Sequence, residues 1–331
     1  VTAAALVGVR RAARPNLRPV NPRSDMAQVA DLIGLAFSGE LDASGLQMIR
    51  EMRAFGRAGW LGYQLSRLML PPAARPHGFV WQEQGRIVGN ASLLQVEGYP
   101  QRWVLANVAV DPEWRRRGIA RRLVVASLAE AARLGARLLI LQVAQSKREV
   151  QALYANLGFA TTSVRTHWSR PARLPAPQGE LPDGPQPRPP TEWEEQWTFL
   201  RQLHPEGLIW PFPPEDDLFR PSGMSAFLSA GRVRHWLWRQ DGELVASLTA
   251  QARAAFQEWR LVLSCAPARR GKLEGAMLAH ALAELPPDLP LSLEYPTGTA
   301  DAALEALGFR AGRALTWMAL DLPAEAQGVP G

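Results

Sequence analysis

The sequence predicts an α/β protein with mixed (α+β) sheets, built as two tandem copies of one fold. Three observations carry that expectation. First, the run Val104-Leu105-Ala106-Asn107-Val108-Ala109-Val110 alternates as a strand does and ends at Asp111-Pro112. It then passes through Arg115-Arg116-Arg117-Gly118-Ile119-Ala120 into the helical spacing of Leu123-Val124-Val125-Ala126-Ser127-Leu128. Second, another strand, Arg137-Leu138-Leu139-Ile140-Leu141-Gln142-Val143, is followed by a helix bearing Ala152-Leu153-Tyr154-Ala155-Asn156-Leu157-Gly158-Phe159. Third, the same succession of patterns restarts after a proline-rich stretch.

In chain order, residues 1–14 read as a loose leader. Their apolar run precedes Arg10-Arg11, the reverse of a signal peptide's order. Asn16-Leu17-Arg18-Pro19-Val20 is a short first strand, and Ser24 or Asp25 caps a helix with Met26, Val29, Ala30, Ile33 and Phe37 on one face. Residues 40–75 hold further helix, through Gln47 to Met52 and the apolar stretch Trp60 to Leu65. Phe79 to Glu83 and Arg86 to Leu93 flank Gln84-Gly85, a hairpin signal. The first domain is therefore expected over 15–170.

Residues 171–190 contain eight prolines among Ala, Gly and Gln, the composition of a stiff linker. A second domain is expected over 191–325. There, Trp236 to Ala246 mirrors the first hairpin, Leu261 to Gly271 mirrors the core strand and its exit, and Ala303 to Phe309 mirrors the closing helix. Pro267 lies 155 residues after Pro112, and Gly308 lies 150 after Gly158, the signature of an internal repeat.

The joint after Val110 has a chemistry of its own. Small residues at 118 and 120 let a bulky anion approach the backbone. The free N–H groups of the first helical turn point at it, and the helix dipole favours its charge. Five arginines between 115 and 122 add positive potential. This is a phosphate cradle. The second copy has Leu273 opposite Gly118 and Leu304 opposite Tyr154. It is expected to be degenerate, a structural or substrate-shaping half.

With both motifs on the page, the chain resembles the GCN5-related N-acetyltransferase (GNAT) superfamily. VAVDPEWRRRGIARRLV matches the family's Val-x-Pro-x-x-Arg-x-x-Gly-x-Ala pattern, and ALYANLGF matches its Leu-Tyr-x-x-x-Gly-Phe ending. The resemblance implies two tandem acyl-CoA N-acyltransferase folds, with acetyl-CoA as co-substrate bound between the strands ending at Val110 and Val143. The implied cofactor contacts are Val108, Ala109 and Val110 on the strand, with Arg115, Arg116, Arg117, Gly118, Ile119, Ala120 and Arg121 at the turn. It also implies that an N–H near Val108 serves the oxyanion, and that Tyr154 is the general acid for the departing thiolate. Two positions depart from the family: Lys147 stands where many members have asparagine, and Val104 and Ala106 stand where some carry Glu or His. Glu97 is the nearest candidate base, while an amine of modest pKa needs none.

Composition narrows the alternatives. A hydrophobic content of 47% and charged content of 21% suit an ordinary globular protein. One cysteine, Cys265, excludes an intramolecular disulfide and a Cys-based zinc cluster and fits a cytoplasmic setting. In the degenerate half, it is also a poor candidate nucleophile. His77, His167, His204, His235 and His280 lack ligand spacing, so no metal is expected. The net charge of +6 comes without a block of like charge, so no nucleic-acid arm is expected, and no apolar run is long enough to span a membrane. The expected activity is transfer of acetyl to a primary amine, on a small molecule or a peptide, by direct attack. Two other readings stay open: a non-catalytic acyl-CoA-binding or assembly protein, and an aminoacyl-tRNA-dependent transferase.

Overall fold

The computed structural model describes residues 16–39, 45–57, 77–96, 98–177, 184–204, 218–220, 233–253 and 257–323. The chain divides into two compact units. One is drawn from Val1–Val143, Lys147–Thr162 and Trp317–Gly331, the other from Ala144–Ser146 and Ser163–Thr316. The leader, the Trp60–Leu65 stretch and Glu97 lie outside the described residues.

The first unit begins with β1 (Leu17–Pro19) and α1 (Met26–Ala36). Asp25 stands at the N-cap of α1 but does not cap it with its side chain. Its buried carboxylate instead accepts from the Arg18 guanidinium at 2.6 and 3.1 Å and from the Asn21 amide at 2.7 Å. Residues 45–57 form α2. The hairpin of β2 (His77–Glu83) and β3 (Arg86–Val96) turns at Gln84 and Gly85, both with positive φ (49° and 82°), as a tight two-residue turn demands. Then come β4 (Tyr99–Val110), α3 (Ile119–Arg133), β5 (Leu138–Ala144), α4 (Arg148–Ala155) and the start of β6 (Ala160–Arg170).

Both faces of the first unit's sheet are covered. On one face, Trp81, Leu93, Trp103 and Leu105 pack against Ile119, Leu123 and Leu128 of α3, with Tyr154 and Phe159 beside them. On the other, Val29, Ala30 and Ile33 of α1 pack against Val80, Ile87 and Ala109. The period of 3.6 in the helices and of 2 in the strands puts these apolar sets on single faces. Met318, Leu320 and Leu322, from the end of the chain, join the first core. No sequence pattern anticipated that return.

The second unit comprises β7 (Pro185–Pro187), α5 (Trp193–Leu203), β8 (Val233–Gln240), β9 (Glu243–Arg253), β10 (Glu258–Cys265), α6 (Glu274–Glu284), β11 (Leu291–Pro296), α7 (Asp301–Ala306) and β12 (Arg310–Asp321) as far as Thr316, with residues from Ser163 of β6. The proline-rich stretch is more than a linker. Pro185–Pro187 pairs antiparallel with Trp236–Trp238 of β8, at an edge where a missing proline N–H costs no ladder bond. Asp241 and Gly242 repeat the positive-φ turn of Gln84 and Gly85. Trp236, Leu248, Leu261, Leu263, Met277 and Leu304 form this unit's core.

Candidate active site

The site begins where β4 loses its neighbour. β4 and β5 pair in parallel at Arg102↔Leu138, Trp103↔Leu139 and Val104↔Ile140, and the pairing goes no further. Three residues past the last residue of β4 paired with β5, Val104, a bulge begins. In the β3–β4 register, Asn90 faces Ala109 and Ser92 faces Ala106, so Asn107 and Val108 together oppose the single Ala91. Asn107 takes φ +52°, a left-handed geometry that asparagine tolerates better than most residues. Its carbonyl accepts from Asn90 Nδ2 at 2.9 Å, and the same amide group lies 3.1 Å from Ser92 Oγ. Asn90 is buried.

Beyond the bulge, the Asp111 amide donates to Val88 O at 2.9 Å. Bonded pairs alternate along an antiparallel ladder, so Ala109 also bonds toward β3. Val110, between Ala109 and Asp111, therefore directs its backbone groups to the other side, where pairing with β5 has ended. Ala109 packs instead in the core beside α1.

The turn that follows is fixed by Asp111. Its buried carboxylate accepts from the Glu113 amide at 3.0 Å and pairs with Arg86 at 2.7 Å, which starts the 3-10 turn Pro112–Trp114. Arg116 (φ +65°) and Gly118 (φ +74°) are both left-handed, and Gly118 is the N-cap of α3. A Cβ on Gly118 would meet nothing within 4 Å, so the space over it is open. The amides of Arg116, Arg117 and Gly118 have no acceptor among the described residues. Ile119, Ala120 and Arg121 add the unpaired N–H groups of a first helical turn. The result is a concentrated, positively polarised backbone surface at the end of a 15-residue helix.

The arginines serve as a rim. Arg115 Nε reaches back to Val110 O at 3.3 Å, and the Arg117 guanidinium lies 4.4 Å from the Trp114 ring centre while bonding Glu113 O at 3.2 Å. Arg116 meets Glu149 at 3.3 Å with both side chains exposed, an ion pair of little worth to stability. Arg121 is exposed, and Ile119 is buried in the core.

Tyr154 lies on α4, only 5% exposed, with its ring edge-on to Phe159 at 5.7 Å between centroids. Among the described residues its hydroxyl has no hydrogen-bond partner. Burial pushes its pKa above the ordinary phenol value, so the proton stays on the oxygen at neutral pH. Lys147, at the N-cap of α4, places its ammonium 5.4 Å from the Phe37 ring centre. Val104 and Ala106 put no ionisable group on the strand, and Glu97 lies outside the described residues. No group of three or more His, Cys, Asp or Glu among the described residues could hold a metal. No described helix is long and apolar enough to cross a membrane.

The bulge residues Asn90 and Asn107 and the Arg86–Asp111 pair were not singled out from sequence. The asparagine within each strand's apolar stretch, Asn90 in β3 and Asn107 in β4, was the available signal.

Residues 47–159, which hold this whole arrangement, match the family model described as "Acetyltransferase (GNAT) family". The [ribosomal protein bS18]-alanine N-acetyltransferase of Escherichia coli K12 is 30% identical over 109 residues, covering 28% of this chain and 74% of that protein. Two solved structures share the fold over nearly the full length. A GCN5-related N-acetyltransferase from Sphaerobacter thermophilus (14% identity) has a TM-score of 0.57 and covers 92% of this chain and 95% of its own. A tandem GNAT protein from the clavulanic acid biosynthesis pathway (18% identity) has a TM-score of 0.51, with coverage of 93% and 98%. The chain belongs to the GNAT family of acetyltransferases, and it is an enzyme of that class.

Proposed function

We propose that the first unit transfers an acetyl group from acetyl-CoA to a primary amine by direct attack. The observation that carries this reading is the run of amides from Arg116 to Gly118 that have no acceptor among the described residues, continued by the first turn of α3, under open space at the end of a strand whose pairing with β5 has stopped. A diphosphate fits that surface, because its charge meets several aligned N–H donors at once. The backbone groups of Val108 and Val110 would hold the extended arm of the cofactor in the manner of an added strand. Arg115, Arg116, Arg117 and Arg121 would lend positive potential at the rim.

Bound acetyl-CoA supplies the activated thioester. Tyr154 holds the proton that the departing sulfur requires, at an oxygen that no other described residue engages. A covalent route through cysteine finds no support. Cys265 is buried in the second unit, and burial pushes its thiol up to about 12. The lack of a carboxylate at Val104 and Ala106 favours an acceptor that is already partly neutral. An α-amine, with a pKa of about 7.7–8.0, meets that condition better than a lysine at about 10.4. The E. coli relative is named for acetylating an alanine of a ribosomal protein, which makes a peptide α-amine a sensible acceptor to try beside small-molecule amines. The second unit, with Leu273 and Leu304 at the positions of Gly118 and Tyr154, serves as a non-catalytic half.

The test is release of free CoA thiol from acetyl-CoA in the presence of a panel of peptide and small-molecule amines. Release that depends on one class of amine supports the reading. A chain that binds acetyl-CoA tightly but releases thiol with none of them favours a binding protein.

A further inference from the structure

The second unit repeats several features of the first unit's turn, and then departs from it. Pro267–Arg269 is a 3-10 turn, as Pro112–Trp114 is. Arg270 Nε reaches Cys265 O at 3.4 Å, as Arg115 Nε reaches Val110 O at 3.3 Å. Gly271 has φ +79° where Arg116 has +65°. The departure comes two residues on. Leu273, the N-cap of α6, has φ −104° where Gly118 has +74°.

Glu274 follows, at the position that Ile119 holds in the first unit. A glutamate in the first turn of a helix usually sits in water, attracted by the dipole. This one is 1% exposed. Its Oε1 accepts from the Gly271 amide at 2.9 Å and from the Tyr295 hydroxyl at 2.7 Å, and its Oε2 accepts from the Leu273 amide at 3.1 Å. Those two amides are the counterparts of Arg116 and Gly118, whose N–H groups have no acceptor among the described residues.

We infer that Glu274 is a resident anion that closes the second cradle from within, so that the second unit takes no acyl-CoA and each chain offers a single site. The carboxylate satisfies the same donors a phosphate would use. To displace it, an incoming diphosphate must strip a buried charge of three hydrogen bonds and leave it beside further negative charge. Leu273 adds a second obstacle: 6% exposed, its side chain is packed in the core rather than leaving open space over the turn. Loss of the glycine and gain of the glutamate are thus two parts of one change, from a cradle that waits for a ligand to one that carries its own. The inference rests on the reading of residues 116–120 as the first unit's cradle only for what the second cradle would otherwise bind; the closure itself rests on the bonds of Glu274.

Amide hydrogen–deuterium exchange on the full chain, with acetyl-CoA as the probe, tests it. Without ligand, the Gly271 and Leu273 amides should exchange at least about tenfold more slowly than those of Arg116 and Gly118. Acetyl-CoA should slow exchange at 116–118 and leave 271 and 273 unchanged. Equal ligand-free rates at the two turns, or protection of 271 and 273 by acetyl-CoA, would overturn the inference. Failure of 116–118 to respond would instead sink the first-unit reading while the ligand-free contrast still upheld Glu274. Glu274→Gln, which keeps the volume and removes the charge, should speed exchange at both amides by about threefold or more. Unchanged rates in that variant would contradict a charged cap.

Discussion

Tyr154 combines two properties that rarely coincide in a buried tyrosine: tight ring packing against Phe159 and a hydroxyl without a protein partner among the described residues. The packing fixes where the oxygen sits, and burial keeps its proton on. Tyr154→Phe retains the ring and removes only the donor. It is expected to lower the rate of thiol release by about 100-fold, in the range typical of a lost general acid, while leaving acetyl-CoA affinity unchanged. An unaltered rate would assign Tyr154 to the core alone. Gly118 contributes in the opposite way, through what it lacks. Its φ of +74° suits glycine, and the space above it is open, as the proposed diphosphate contact requires.

Single residues act here through the elements they position. Gly89 on β3 lets α3 come close: a Cβ there would stand 2.9 Å from Ile119 Cγ2, 3.0 Å from Leu123 Cδ1 and 3.0 Å from Trp81 Cβ. Gly89→Ala should therefore lift the N-terminus of α3 from the sheet. The expected cost is about 1–3 kcal/mol in denaturant unfolding, with weakened acetyl-CoA binding measured on the same preparation. Binding that survives a full stability loss would separate the helix position from the cradle. Asn90 plays the corresponding part for β4. Asn90→Ala removes the donor to Asn107 O and is expected to destabilise by about 1–3 kcal/mol, read from the unfolding midpoint. These elements also mark what the sequence could reveal. The strand, the turn at Gly118 and the helix were readable because alternation, helical spacing and a small residue at a helix start are local signals. The bulge was not, since it depends on which residue of β3 faces Asn107. The carboxylate of Glu274 was not either: a glutamate in a first helical turn looks the same on paper whether it faces solvent or its own backbone. The return of Met318 and Leu320 to the first core is a matter of long-range pairing that no window of sequence displays.

At the scale of the molecule, the chain carries two tandem GNAT-like units. Among the described residues, the first unit leaves the Arg116–Gly118 amides and the Tyr154 hydroxyl without partners, while several buried polar groups of the second unit bond one another. Gln196 bonds Ser247 and Thr249 at 2.7 and 3.1 Å, His235 lies 2.9 Å from Thr249 Oγ1, and His204 lies 3.1 Å from Ser264 Oγ. Burial pushes His204 down to about 4 and His235 down to about 3, with nearby arginines adding to the shift. Both are neutral in the folded chain at neutral pH. Below their ordinary value of 6.5 the unfolded chain takes up protons that the folded chain refuses, so stability falls with pH from that point down to the folded values. The unfolding midpoint, followed by circular dichroism, should drop steadily from about pH 7 to about pH 5. His235→Gln should flatten the decline, and an undiminished slope in that variant would assign the acid sensitivity to other groups. Calorimetric titration with acetyl-CoA of the intact chain and of Gly118→Trp is the most direct measurement of where the cofactor binds. One site per chain, lost in the substituted protein, is the predicted result. No binding to the intact chain, or binding that survives Gly118→Trp, would contradict it.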